Sequence, residues 1–239
     1  MDLILDDEAQ LWVKPIKKLR KFYLCNMSDT SGIELIDRLQ RRLLDKLPGK
    51  EAQWQMAASH RGDTEFDFNF NGPPVKSSVL LMLFERNGDY YFPLIQRPDY
   101  TGIHSGQIGL PGGKEEPQDK NRIATALRET EEEIGVDTSK VLIIGELSEL
   151  YVQASNYNVL PVVGYLSEIP EYNPDPTEVS EVIECNVTDL IKEEIKKEKE
   201  LIIRNKYKII APYFDINNHV VWGATAMMLS EFVTIWKEI

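Results

Sequence analysis

The chain has 239 residues, of which 27 are basic and 39 acidic, so its formal net charge is −12, and 42% of its residues are hydrophobic. This composition is typical of folded globular proteins and excludes intrinsically disordered, collagen-like and disulfide-scaffold chains. The acidic balance argues against nucleic acid or an anionic membrane as a partner, because both require a basic surface. An anionic substrate would therefore need positive charge from another source.

The two cysteines, Cys25 and Cys185, are isolated in the sequence, so neither a metal-binding pair nor a disulfide framework is predicted. No apolar run approaches the ~18 residues of a membrane span. The N-terminus is acidic, whereas a secretory signal begins with basic residues. We therefore expect a cytoplasmic protein with no membrane partner.

The first 74 residues fall into two predicted segments. Residues 1–26 show no sustained periodicity and are expected to form an extension that is mobile or loosely attached. Within them, residues 14–21 form a basic stretch that is either a docking patch for anions or a solvated surface. Residues 27–74 are expected to form an N-terminal helix and a connector. Apolar residues at three- and four-residue spacing predict that this helix runs from Ile33 to Leu47.

Residues 75–239 are expected to form the main domain, and short strand-like runs lie in both of its halves. The dipeptide Asn87-Gly88 is a strong hairpin signal between the first two runs. One helix, Lys120–Ile134, separates the two halves, and another, Gly223–Trp236, closes the chain. This arrangement predicts an α/β fold in which helices cover the faces of a mixed sheet. The predicted strands are Val75–Glu85, Asp89–Gln96, Val141–Leu150, Asn158–Leu166, Glu178–Asn186 and Lys206–Ile216.

The central helix carries a group of carboxylates on one face. Glu129, Glu132 and Glu133 share this face, and apolar residues occupy the opposite one. Like charges at this spacing are destabilising, so either a counterion or full solvation is required. Carboxylate oxygens suit Mg²⁺, Mn²⁺ or Ca²⁺, and Mg²⁺ commonly binds one or two carboxylates together with substrate phosphates. The alternative is that the glutamates only solvate an exposed helix.

Residues flanking this helix have two interpretations each. Gly112-Gly113 permits close approach of the backbone to a ligand, or is only a turn. Asp119 either caps the helix or adds an acidic group near the metal. Gly135 is predicted to end the helix in the left-handed conformation.

The segment from Gly113 to Val136 resembles the Nudix box, whose pattern is Gly, five residues, Glu, seven residues, then Arg-Glu-apolar-x-Glu-Glu-x-Gly-apolar. The chain differs from this pattern at Thr130, which stands at an apolar position, and at Asp119, which replaces Glu. One additional residue lies between Asp119 and the matching arginine. The matching residues are Arg128, Glu129, Glu132, Glu133, Gly135 and Val136.

The resemblance implies a Nudix-type α/β/α sandwich with a mixed β-sheet, here with an added N-terminal helix. It implies metal-dependent hydrolysis of a nucleoside diphosphate linked to another group. Glu129, Glu132 and Glu133 would then hold Mg²⁺ or Mn²⁺ and serve catalysis, and Arg128 would orient a helix carboxylate. The resemblance is also compatible with a homodimer.

The residues upstream are similar to the signature of the coenzyme A pyrophosphatases. Agreement lies at Arg97, Gly106 and residues 111–113, whereas Gly102 replaces an arginine, and Ile95 and Leu110 replace Thr and Phe. Residues 47–56 and 221–226 are similar to the same subfamily. This similarity implies cleavage of coenzyme A or its thioesters to 3′,5′-ADP and 4′-phosphopantetheine. The substrate-binding candidates are Arg97, His104, Gly112 and Gly113.

Several alternatives stay open at this point. The chain could be a Nudix hydrolase that acts on ADP-ribose, a dinucleotide or a nucleoside triphosphate, or a Nudix-fold module that binds a ligand without turnover. Arg97 could instead form a salt bridge at the end of a strand, and His104 could serve packing or local hydrogen bonding. Glu178 and Glu181 form either the solvent side of a strand or a remote base or metal ligand.

Overall fold

The computed structural model describes residues 31–60, 70, 72–99, 104–203 and 207–239. The predicted extension, its basic stretch and Cys25 lie outside these residues, as does Gly102. Cys185 is buried and free.

The described chain forms five α-helices and twelve β-strands. The helices are α1 Ser31–Leu44, α2 Lys50–Gln53, α3 Arg122–Ile134, α4 Val187–Leu190 and α5 Gly223–Trp236. The strands are β1 Ser59–His60, β2 Val75–Arg86, β3 Asp89–Gln96, β4 Ile108–Gly109, β5 Gly112–Lys114, β6 Leu142–Glu146, β7 Leu150–Val152, β8 Tyr157–Leu166, β9 Glu181–Asn186, β10 Lys196–Ile203, β11 Tyr207–Ile216 and β12 His219–Trp222.

The main sheet is mixed and is centred on β2. This strand runs parallel to β8 and antiparallel to β3 and β5, which share its other edge. The strands β4 and β9 pair with β3, and β6 and β7 pair with β8. The smaller sheet contains β1, β10, β11 and β12, and β12 leads directly into α5.

Side chains of β2 alternate between the two faces of the sheet. Leu80, Met82 and Phe84 pack in the cluster that contains residues of α3. Leu81 and Leu83 pack in the cluster that contains residues of α1 and α5. Helices therefore cover both faces, and the predicted α/β/α sandwich with its mixed sheet is confirmed.

The N-terminal helix packs in the same core as the closing helix. Ile36, Leu39 and Leu43 of α1 are buried in the cluster that also contains residues of α5. The added helix is thus confirmed, although it ends at Leu44 and not at Leu47. The predicted boundary between residues 27–74 and 75–239 stays a prediction.

Two turns of only two residues connect antiparallel strands in the described chain. Asn87 and Gly88 have φ angles of 57° and 85°, as a two-residue hairpin loop requires, so the predicted hairpin is confirmed. Asn217 and Asn218, with φ angles of 51° and 68°, join β11 to β12 in the same way. This second hairpin was not predicted from the sequence.

The short strands β1, β4, β5 and β12 were not predicted, and three longer runs also differ from the prediction. The run predicted as Val141–Leu150 forms two strands, β6 and β7, and a register shift between Ile143 and Gly145 already interrupts the first. The strand predicted from Glu178 begins at Glu181, because residues 176–178 form a turn. The strand β10 was not predicted, since its charged residues follow one another without an apolar alternation.

A buried carboxylate joins α5 to two loops. Glu231 is fully buried and accepts hydrogen bonds from the backbone N–H of Gly49 at 2.9 Å and from the side chain of Gln53 at 2.9 Å. It also accepts from the backbone N–H of Ser148 at 3.2 Å. The closing helix is therefore fixed both to the segment after α1 and to the connection between β6 and β7.

No helix within the described ranges has both the length and the apolar character that crossing a membrane requires.

Candidate active site

The carboxylate face of α3 packs directly against β5. One carboxylate oxygen of Glu133 accepts a hydrogen bond from the backbone N–H of Gly112 at 2.7 Å. Gly112 has a φ of 147°, and a Cβ there would lie 2.3 Å from the carbonyl oxygen of Ser78. The first glycine of the pair is therefore required by backbone conformation and by close packing on β2.

The second glycine faces another carboxylate of the same helix. A Cβ at Gly113 would lie 2.4 Å from the carboxyl carbon of Glu129. Both glycines thus contact protein groups in the structure, and their contact with a substrate stays a prediction.

Arg128 contacts three of the acidic side chains at this site. Its guanidinium donates to the two oxygens of Asp119 at 2.9 and 3.0 Å and to Glu132 at 2.8 Å, and it lies 2.9 Å from Glu129. This pairing holds the pKa of Asp119 well below its usual range. The role implied for Arg128, to orient helix carboxylates, agrees with these contacts.

Asp119 is not the cap of α3, so that interpretation is wrong. Asn121 is the cap, because its side chain accepts a hydrogen bond from the backbone N–H of Ala124 at 2.9 Å. Asp119 instead accepts from Thr125 and Arg128. The additional residue in this loop therefore leaves Asp119 within reach of the arginine.

The three predicted metal ligands differ in burial. The side chain of Glu133 is 2% exposed and that of Glu132 is 55% exposed, whereas Glu129 is partly buried. Burial raises the pKa of Glu133 to about 7, although Arg97 and the N–H of Gly112 oppose this effect. Burial also raises the pKa of Glu129.

The structure brings Arg97 to these carboxylates. Its guanidinium lies 3.7 Å from Glu133 and 3.4 Å from the carbonyl oxygen of Gly112. His104 is partly buried, and its Nδ1 lies 3.0 Å from the side-chain oxygen of Gln107. The substrate contacts of Arg97 and His104 stay predictions.

The turn that contains Glu178 is attached to the end of α3. The backbone N–H of Asp175 donates to the carbonyl of Glu133 at 3.0 Å, and that of Asn173 donates to the carbonyl of Ile134 at 2.8 Å. Burial is the main cause of the raised pKa values of Glu129 and Glu133, and the negative charge of the exposed Glu178 adds to both in the same direction.

Glu181 is placed differently. It begins β9 and lies 3.7 Å from a ring nitrogen of His219. Of the two remote acidic candidates, Glu178 is the one whose charge acts on the carboxylates of α3. Glu181 is exposed and fits the interpretation as the solvent side of a strand.

Among the described residues, no three His, Cys, Asp or Glu side chains form a ready-made metal cage. The donor chemistry nevertheless fits a hard divalent cation. Glu129 and Glu133 are carboxylates whose pKa values are raised by burial, and a nearby cation would stabilise their charged forms. Mg²⁺ needs only one or two such carboxylates if substrate oxygens and water complete its coordination.

We expect the metal-free protein to lose stability as the pH rises from about 4.5 to about 7. The pKa of Glu133 is raised from 4.5 to about 7 in the folded state. In this window the folded state binds more protons than the unfolded state, so raising the pH favours unfolding. The expected loss is on the order of 3 kcal/mol.

Urea unfolding in chelator at pH 5 and pH 8 measures this loss, with Glu133→Gln as the control that cannot titrate. The wild type should lose stability relative to the variant between these pH values. Equal pH dependence in the two proteins would contradict the raised pKa.

Two residues next to this site, Asn121 and Ser78, were not predicted from the sequence. Asn121 has a signal that was available, because asparagine is as good a helix cap as aspartate. Ser78 has no such signal, because a serine within a predicted strand does not indicate which residues of other elements it will face.

The chain is similar in sequence to a known protein family and to proteins that belong to it. The family model described as "NUDIX domain" matches residues 74–205. "Nudix hydrolase 22, chloroplastic" of Arabidopsis thaliana is 36% identical over 169 residues, which cover 68% of this chain and 55% of the relative. This chain thus spans about half the length of the plant relative.

Two further similarities were found. "Uncharacterized Nudix hydrolase NudL" of Photorhabdus laumondii is 32% identical over 156 residues, which cover 61% of this chain and 82% of the relative. The crystal structure of a C. elegans Ap4A hydrolase is 17% identical, with a TM-score of 0.48, and the match covers 69% of this chain and 99% of that one.

Proposed function

The chain belongs to the NUDIX domain family, and from this premise we propose that it is a metal-dependent pyrophosphohydrolase. The proposed reaction cleaves the diphosphate of coenzyme A or its thioesters to 3′,5′-ADP and the 4′-phosphopantetheine product. The observation that carries the proposal is the packing of Glu129 and Glu133 on Gly112-Gly113, beside Arg97.

Glu129 and Glu133 are the proposed ligands of the cation, and Glu132 is a further carboxylate on the same helix. A bound Mg²⁺ or Mn²⁺ would neutralise the diphosphate and polarise the phosphorus that water attacks. Arg128 holds the carboxylates in place through its contacts with Glu129 and Glu132. A cation held by these residues would supply the positive charge that this acidic protein needs to bind an anionic substrate.

Arg97 is the proposed phosphate-binding residue. Its planar guanidinium can pair with two phosphate oxygens, and its side chain is 34% exposed beside Glu133. Substrate could therefore reach it without displacement of buried side chains. His104 is a second proposed contact.

We assign the activation of the attacking water to Glu178. Both oxygens of Glu133 already face donors, namely Gly112 and Arg97, so this carboxylate is held in place. Glu178 is exposed at the same site and lies on a turn attached to α3. A carboxylate in this position can accept the proton that the attacking water loses.

Two departures from the coenzyme A signature lie in the hydrophobic core. Leu110 is 2% exposed and Ile95 is 0% exposed, so neither residue is available for contact with a substrate. Their replacement of Phe and Thr is therefore compatible with the coenzyme A proposal. Gly102 lies outside the described residues.

The product test distinguishes the candidate substrates. The protein is incubated with coenzyme A, ADP-ribose, NADH or a nucleoside triphosphate, each with Mg²⁺, Mn²⁺ or chelator, and products are identified by mass spectrometry. We expect chelator-sensitive release of 3′,5′-ADP and 4′-phosphopantetheine from coenzyme A.

Other outcomes would replace the proposal. Cleavage of another diphosphate with coenzyme A intact would retain the hydrolase and change its substrate. Stabilisation by a ligand without any product would support a binding module.

A further inference from the structure

The hydroxyl of Ser78 is a buried polar group that lacks a hydrogen bond. Ser78 is 0% exposed, and its Oγ finds no hydrogen-bond partner among the residues that the structure describes. Leaving a buried hydroxyl unpaired costs about 1–3 kcal/mol. Buried polar side chains are for this reason almost always paired in folded proteins. A partner that binds at this position would remove the cost.

The register of the sheet places this hydroxyl beside the carboxylates of α3. Ser78 of β2 lies directly opposite Gly113 of β5 in the antiparallel pair, so the two residues direct their Cβ positions to the same face. A Cβ at Gly113 would lie 2.4 Å from the carboxyl carbon of Glu129. The hydroxyl of Ser78 therefore faces the same space as the carboxylate of Glu129.

The alternation along β2 agrees with this placement. Ser78 precedes Leu80 and Met82 on the face that packs against α3. Its neighbour Ser77 is also buried but points to the opposite face. The two serines thus occupy opposite sides of the sheet.

Glu129 can accept further hydrogen bonds. Arg128 lies 2.9 Å from one of its oxygens, and a carboxylate accepts about four hydrogen bonds. A donor beside a metal-binding carboxylate fixes its orientation and increases metal affinity.

We propose that Ser78 is a positioning residue for the divalent cation. Its hydroxyl, which has no partner among the described residues, would donate to a water molecule that enters with the cation, or to the carboxylate of Glu129 once the bound cation has reoriented it. The inference rests on the proposed metal-dependent function. Ser78 acts through Glu129 or water and does not itself contact the substrate.

The test measures Mn²⁺ binding without substrate, by isothermal titration calorimetry, together with urea unfolding in chelator. In Ser78→Ala we expect the dissociation constant for Mn²⁺ to rise about 10-fold. The metal-free variant should be as stable as the wild type or more stable, because it lacks the unpaired hydroxyl. The matched control Ser77→Ala, on the other face of the strand, should bind Mn²⁺ as the wild type does.

Two further variants keep the result interpretable. Ser78→Cys retains a side chain at this position but replaces the hydroxyl with a weak donor, so it should also weaken Mn²⁺ binding. Wild-type affinity in both Ser78 variants would overturn the inference. Glu129→Gln tests the site itself: if this variant loses Mn²⁺ and the Ser78 variants do not, only the role of Ser78 is wrong. If the wild type binds no Mn²⁺, the proposed metal-dependent function fails, and with it the role of Ser78.

Discussion

Glu133→Gln should lower kcat/KM at least about 100-fold while the protein remains folded. Glutamine has nearly the same size as glutamate, so the packing of α3 against β5 should be retained. The variant lacks the negative charge that a cation and Arg97 require, and its NH2 group must face one of two donors, the N–H of Gly112 or the guanidinium of Arg97. Steady-state kinetics with the substrate found in the product test measures the loss, and circular dichroism checks the fold.

The matched control for this prediction is Glu131→Gln. Glu131 lies on the same helix, is exposed, and accepts a hydrogen bond from Thr138, away from the carboxylate face. Its substitution should leave kcat/KM near the wild-type value. If Glu133→Gln keeps near wild-type activity, the assignment of the site is wrong. Glu178→Gln separates the roles, because loss of the proposed base should lower kcat strongly, whereas loss of one negative charge near Glu129 and Glu133 should weaken Mn²⁺ binding only slightly.

Glu231→Ala should lower the free energy of unfolding by about 4 kcal/mol. The substitution leaves three donors without their acceptor, namely the N–H groups of Gly49 and Ser148 and the side-chain amide of Gln53. An unpaired buried donor costs about 1–3 kcal/mol, which applies fully to Gln53 and less to the part-buried N–H groups of Gly49 and Ser148, and the lost side chain leaves a cavity in a fully buried position. Equilibrium urea unfolding measures the difference.

Two further variants test whether the loss of stability comes from the buried hydrogen bonds of Glu231. Glu238→Ala removes a carboxylate that is 48% exposed and paired with Arg42, so it should cost less than about 1 kcal/mol. Glu231→Gln keeps one acceptor oxygen and should give an intermediate loss. A Glu231→Ala protein as stable as the wild type would show that water replaces the carboxylate without cost.

The sequence predicted those elements whose signals are local. The hairpin at Asn87-Gly88 requires two residues with positive φ, and few other dipeptides meet this requirement as readily. The left-handed end of α3 at Gly135 is confirmed for the same reason. The extent of α5, Gly223–Trp236, is also as predicted, although its apolar residues show no clear face, because nearly all of it is buried.

Features that depend on partners distant in the sequence could not be predicted. The break between β6 and β7 goes with a change of register opposite β8, and the sequence of the run carries no information about its pairing with β8. The pairing of β10 with β11 involves charged residues that a strand pattern does not include.

For the site as well, the features set by neighbouring residues were predicted, and those set by residues distant in the sequence were not. The residue types of Arg128, Glu129 and Glu133 and their spacing indicated the chemistry. The burial of Glu133 and the position of Glu178 depend on β5 and on the turn after β8, which lie far from them in sequence. The cytoplasmic location and the homodimer stay predictions.

The two backbone hydrogen bonds between the Asn173–Asp175 segment and the last turn of α3 have a consequence for how the protein opens. The amides of Asn173 and Asp175 can exchange with solvent only when they separate from the carbonyls of Ile134 and Glu133. Local unfolding of this segment would therefore move Glu178 and release the end of the helix together. We therefore expect the proposed base and the end of α3 that carries Glu133 to open and close together.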